Sequence, residues 1–191
     1  LVGPSGSGKT TLLDLMLILN KPSHGAINIL NNDFIAGNIT KYRRQIGYVS
    51  QEPIVFDGSI FLNITLKDGL SNMHNKYIVK EVKNILGNVG LLEFVKSLEN
   101  GIDTQVGENG NKLSGGQKQR LFLAREIYRK PDLLFLDEAT SSLDSESENI
   151  IKETLDNLKG QMTLIIVAHR LSTIKKVDNI IVINDGLVVE T

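Results

Sequence analysis

At 191 residues, with 21 Lys and Arg against 22 Asp and Glu and a formal net charge of −1, the chain is long enough for one domain with a good core. That balance gives it no overall pull toward nucleic acid, which calls for a basic face, so a small-molecule partner is expected instead. It has no cysteine, which excludes disulfides and thiolate metal sites and fits a cytoplasmic setting. The longest apolar stretches, Leu12 to Leu19 broken by Asp14 and Leu164 to Ala168, fall well short of the roughly 20 residues that cross a bilayer, and the piece is expected to be soluble. Leu1 and Val2 read as the end of a strand, as expected of a fragment of a longer chain.

The next residues, Gly3-Pro4-Ser5-Gly6-Ser7-Gly8-Lys9-Thr10, fill every fixed position of GxxxxGK[ST]. Thr11 to Leu17 follow as a helix, so the motif has the strand-loop-helix context of a P-loop. The glycines let successive N–H groups converge on a hollow that attracts phosphate oxygens, and the helix N-terminus adds to the attraction. Lys9 is then expected to reach the β and γ phosphates of a nucleotide. Thr10 offers a hydroxyl to Mg2+, a hard cation that prefers oxygen ligands.

Lys21 to Gly25 form a turn with His24 in it, and Ala26 to Leu30 a strand. Ile46-Gly47-Tyr48-Val49-Ser50 is a short apolar strand that ends at Gln51-Glu52-Pro53. From about 59 to 129 the pattern becomes helical: Tyr77, Ile78, Val82, Ile85 and Leu86 recur at helical spacing, as do Leu91, Leu92, Val95 and Leu98, with Lys76, Lys80, Glu81 and Lys83 on a solvated face. The strand style returns at Leu133 to Leu136, a continuous apolar run of the kind buried on both faces of a parallel sheet. Ser145 and Glu148 predict a capping box for a helix through Leu158 that Gly160 ends. Thr163 to Ala168 is another buried strand and Val177 to Ile183 the last, with Leu187 to Val189 pairing back across Asn184-Asp185-Gly186. The predicted fold is α/β: a mainly parallel sheet in a lobe of about 1–58 and 130–191, a helical subdomain of about 59–129 and a small antiparallel part. Ligands of such sheets sit at the strands' carboxyl ends.

Asp137 and Glu138 stand at such an end. Asp137 is expected to hold Mg2+ through water, and Glu138 to polarise the water that attacks the γ-phosphate. His169 follows the strand Thr163 to Ala168, where it can donate a hydrogen bond to the γ-phosphate. Leu113-Ser114-Gly115-Gly116-Gln117 then mark a second helix start, with Ser114 as cap, leading into Lys118 to Arg125. Two anion sites in one chain, with one triphosphate already held by the first, predict that the second serves a nucleotide on another copy in a head-to-tail dimer.

Together these residues resemble the nucleotide-binding domain of ATP-binding cassette (ABC) transporters over essentially the whole chain. By that resemblance Gly3 to Thr10 are the Walker A motif (RecA-like lobe), with Thr11 after it. Gln51 is the Q-loop glutamine, a further Mg2+ ligand that reports occupancy to a partner. Leu113 to Gln117 are the LSGGQ signature, Leu133 to Asp137 the Walker B strand, Glu138 the catalytic carboxylate, Ser142-Leu143-Asp144 the D-loop and His169 the switch histidine. The resemblance implies an ATPase at the cytoplasmic face of a membrane, working as a dimer with a transmembrane domain fused or associated and without nucleic acid. The stretches Gln51 to Ile60 and Val106 to Gly110 look like exporter-type sequences, while an importer's ATPase subunit and a non-transport ABC-type ATPase stay open. Only about sixty residues separate Gln51 from Leu113, too few for the sustained heptads of a chromosome-associated relative.

Overall fold

The computed structural model describes residues 1–29, 32–33, 39–67, 75–139, 143–168 and 176–191. In chain order the elements are α1 (Lys9–Met16), β1 (Asn28–Ile29), β2 (Asn32–Asp33), α2 (Ile39–Gln45), β3 (Ile46–Val49), α3 (Ile60–Thr65), α4 (Lys76–Asn88), α5 (Leu92–Ser97), α6 (Gly115–Tyr128), β4 (Leu133–Asp137), α7 (Ser145–Leu158), β5 (Thr163–Val167), β6 (Val182–Asn184) and β7 (Leu187–Glu190).

β3, β4 and β5 form a parallel sheet in that order, with Tyr48 opposite Phe135 and Leu136 opposite Ile166. Leu1 and Val2 continue it: Ala168 donates to the Leu1 carbonyl at 3.1 Å, and Ile183 donates to the Val2 carbonyl at 2.8 Å, which ties in β6. β6 and β7 pair antiparallel around Asp185 and Gly186, whose φ values of 50° and 75° are what a tight two-residue hairpin turn needs.

The pleat of β4 divides the core. Leu134 and Leu136 face a larger cluster with Leu121 and Leu123 of α6 and Ile151 and Leu155 of α7. Phe135 faces the opposite way, onto Leu13 of α1, Leu17 just after it and Tyr42 of α2. The sheet therefore stands between the helix that follows Gly3–Thr10 and the helix that follows Leu113–Gln117, a separation that matters for the site.

Three local expectations change. The helix α7 is capped by Asp144, whose Oδ1 accepts from the Ser147 amide at 2.9 Å, so the predicted Ser145–Glu148 box is one residue out of register. Glu148 is buried instead, paired with Lys152 at 2.6 Å. Tyr77, expected on the apolar stripe of α4, is 86% exposed, because it lies in the first turn while Val82, Ile85 and Leu86 form the buried face. The final strand begins only at Val182; Val177 to Ile181 line an open cavity beside the edge of β5. The short helix α2 had no apolar stripe to announce it, and is held by the Tyr42 hydroxyl donating to the Met16 carbonyl at 2.8 Å.

Candidate functional site

The loop before α1 is shaped by close backbone approach. A Cβ on Gly3 would lie 2.1 Å from the Ile183 carbonyl oxygen and 2.8 Å from Ser7 Oγ, so only glycine fits against β6. Gly8 takes a φ of 99° as the cap of α1, and this helix start has no side-chain cap hydrogen bond. The Ser7 carbonyl accepts from Gly186 at 2.9 Å, which fastens the loop to the β6–β7 turn. Lys9 is 5% exposed and donates from Nζ to the Gly3 and Pro4 carbonyls at 3.0 and 2.8 Å. Pro4, Ser5, Gly6, Thr10 and Thr11 are exposed along the rim, while the Ser7 hydroxyl is buried with no partner.

Beside this loop lies the carboxyl end of β4. Asp137 shares the α1-facing side of the sheet with Phe135, two residues before it. It is buried, and its Oδ1 has no hydrogen-bond partner. Burial first, then the charges of Glu138 and Asp14, raise the Asp137 pKa above the usual carboxylate value, and the Lys9 charge opposes that rise. Tyr48, across from Phe135 in the register, is pushed up to about 12 by burial and by the charges of Asp137 and Asp14. Glu138 has a φ of 48°, in the left-handed region that a glutamate rarely adopts, while its amide still donates to the Val167 carbonyl at 3.1 Å. Its backbone thus turns out of the sheet within one residue of Asp137, and strain of this kind gathers where a side chain must be aimed.

A second group forms on the other side of the sheet. Ser114 Oγ accepts from the Gln117 amide at 3.2 Å while Gln117 Oε1 accepts from the Ser114 amide at 2.9 Å, a complete capping box at the start of α6. Ser114 and Gly115 are exposed, and a Cβ on Gly115 would touch nothing within 4 Å. Gly116 differs: its Cβ would lie 2.4 Å from Ser147 Oγ, so α6 and α7 start against each other, with Asp144 as the cap of α7. Gln51 lies exposed just beyond β3, and Leu113 is partly buried. Ser142 and His169 lie outside the described residues.

The P-loop, Asp137 and Glu138 are thus one cluster, and the Leu113–Gln117 start with Asp144 is another. Sequence reasoning passed over Tyr48 and Asp14. The first was legible in the alternation of the strand before Gln51, and the second in its spacing of four from Thr10, which puts both on one helix face.

The chain matches the model of the family described as ABC transporter over residues 1–141. The chain belongs to the ABC transporter family. It is 47% identical over its whole length to ABC transporter B family member 13 of Arabidopsis thaliana, of which it covers 15%. It is 43% identical to mouse ATP-binding cassette sub-family B member 10, mitochondrial, covering 26% of that protein, and 42% identical to the ATP-dependent lipid A-core flippase of Ralstonia nicotianae, covering 32%. Among solved structures it is similar to a bacterial Atm1-family ABC exporter with ATP bound, at a TM-score of 0.86 and 37% identity, over 99% of this chain and 32% of that one. The chain is thus a nucleotide-binding domain of that family with the α/β P-loop fold, similar to those of exporters, and it spans about 15 to 32% of the length of these relatives. Among its described residues no helix is long and apolar enough to cross a membrane.

Proposed function

We propose that this ABC domain binds Mg-ATP in a pocket it shares with a second such domain, and that hydrolysis there drives export of a substrate through a transmembrane domain fused to it or associated with it, from the cytoplasmic face of the membrane. The observation that carries the site is a buried, loop-held Lys9 whose charge acts on the buried Asp137, one oxygen of which has no hydrogen-bond partner.

Lys9 exchanges the Gly3 and Pro4 carbonyls for the β and γ phosphates, and the amides from Gly6 to Thr11 cradle the rest of the chain of phosphates. Among the described residues no three His, Cys, Asp or Glu side chains are grouped to hold an ion unaided, so the donors must include neutral oxygens and the nucleotide itself. Thr10, Gln51 and Asp137 are such a set, all oxygen donors, and the unpartnered Asp137 oxygen fits a role toward a metal-bound water. When bound, Mg2+ neutralises charge on the phosphate oxygens. Glu138 accepts the proton of the attacking water and aligns it, and His169 donates to the γ-phosphate.

The signature cannot close over the nucleotide of its own chain if the sheet stands between α1 and α6, as the two core clusters place it. Ser114 and Gly115 are therefore free to meet a nucleotide held by the second domain, with Asp144 beside them. Exposed Gly115 supports this reading, since a side chain there would obstruct a partner and not this chain.

Replacing Lys9 by alanine removes a charge-assisted contact of about 1.5–3 kcal/mol, so ATP affinity is expected to fall by about 10- to 100-fold in a calorimetric titration. Wild-type affinity in Lys9→Ala would reject the assignment.

A further inference from the structure

Gln51 is exposed, yet the backbone on both sides of it is held by one helix. α6 sends three side chains, each 5% exposed or less, to the chain leaving β3. Glu126 accepts from the Tyr48 amide at 3.3 Å, Gln119 donates from Nε2 to the Ser50 carbonyl at 3.2 Å, and Arg125 donates to the Ile54 carbonyl at 2.8 Å. Behind them Arg125 also bonds the carbonyl and the Oδ1 of Asn63, and Asn63 in turn bonds both the amide and the carbonyl of Phe56. The helix interior has no need of a polar group at 119, where an apolar side chain of equal length would fill the space; the amide of Gln119 is used on a carbonyl 69 residues away in the chain. That carbonyl belongs to the residue just before Gln51, and the helix that carries the amide begins at the signature, Ser114 to Gln117.

We propose that Gln119 is a positioning residue for Gln51: by holding the Ser50 carbonyl, with Arg125 holding Ile54 beyond, it fixes where the Gln51 side chain stands at the nucleotide site and joins Gln51 to the signature helix as one unit. The inference rests on the reading that Gln51 serves that site. When the signature helix shifts as a partner closes on it, the ends of the Gln51 segment shift with it, because three side-chain bonds and not a flexible loop connect the two.

The test uses the full chain with Gln119→Leu, Gln51→Ala and the double substitution, in two measurements. The first is ATP turnover as a function of Mg2+ concentration, and the second is amide hydrogen exchange over residues 50–56 without nucleotide. Loss of one hydrogen bond of ordinary strength predicts that Gln119→Leu lowers turnover about three- to tenfold and raises the Mg2+ concentration needed, with faster exchange over 50–56. In the Gln51→Ala background the same substitution is expected to change turnover by less than about twofold, since a residue that acts through Gln51 has nothing left to act on. Gln119→Met, unbranched and of similar length, replaces leucine if the latter lowers the melting temperature. Losses that multiply in the double variant overturn the proposal, because Gln119 would then support the fold in general. Wild-type turnover and exchange in Gln119→Leu, beside an impaired Gln51→Ala, overturn it while leaving the reading of Gln51 intact. A neutral Gln51→Ala overturns both.

Discussion

Glu138→Gln is expected to lower ATP turnover by about 10²- to 10⁴-fold, the usual worth of a positioned general base, while ATP still binds. The neutral amide keeps the size of the side chain and the left-handed backbone at that residue, so the pocket is preserved and only the proton acceptor is lost. In the proposed site it also removes a negative charge from beside the γ-phosphate, which favours the nucleotide-bound state. In the proposed shared site the bound triphosphate joins two domains, so the variant is expected to accumulate as an ATP-dependent dimer by sedimentation. Single-turnover hydrolysis close to wild type would show that another group takes the proton.

Arg125→Ala is expected to cost about 3–5 kcal/mol of stability, read as a shift of the denaturant midpoint. Arg125 is 3% exposed and satisfies the Asn63 carbonyl at 2.7 Å, the Ile54 carbonyl at 2.8 Å and Asn63 Oδ1 at 2.8 Å. Its guanidinium also lies 4.5 Å from the Phe56 ring centre and 5.3 Å from that of Phe122. Truncation leaves two buried carbonyls unpaired, at about 1–3 kcal/mol each, and opens a cavity between two aromatic rings. Burial lowers the pKa of this guanidinium, yet an arginine keeps its charge, so the bonds hold across the physiological range. Lysine would recover little, since one ammonium cannot reach three acceptors set at the fork of a guanidinium. A loss below about 1 kcal/mol would mean that water replaces these bonds without penalty.

What could be read from residue order follows the range of the interactions. The P-loop is local: its glycines, its lysine and the helix after it act within ten residues, and the contacts of Gly3 and Lys9 are of the kind that such spacing requires. The apolar run Leu133 to Leu136 gave the buried parallel strand, and with it the place of Asp137 and Glu138. The α7 cap was misplaced because Asp144 and Ser145 are both good caps, and only the geometry shows the carboxylate reaching Ser147. The bonds from Gln119 and Arg125 to Ser50, Ile54 and Asn63 cross 62 to 71 residues, and no periodicity encodes which carbonyl a buried donor meets. The same is true of Tyr48 and Asp137, which become neighbours only through the register of β3 on β4. The helices α3 to α6 fall between residues 60 and 128, but the tie from α6 back to the chain after β3 was invisible in the helical pattern of that stretch.

The shared pocket is the central claim, and mixing two inactive variants of the full chain tests it directly. Lys9→Ala spoils every P-loop and Ser114→Arg spoils every signature, so either variant alone contains no intact site. In a head-to-tail pair of the two, the P-loop of the Ser114→Arg chain meets the signature of the Lys9→Ala chain, and one composite site is whole. ATPase activity is therefore expected to appear on mixing. A mixture as inactive as its components, under conditions where the two chains associate, would contradict the account.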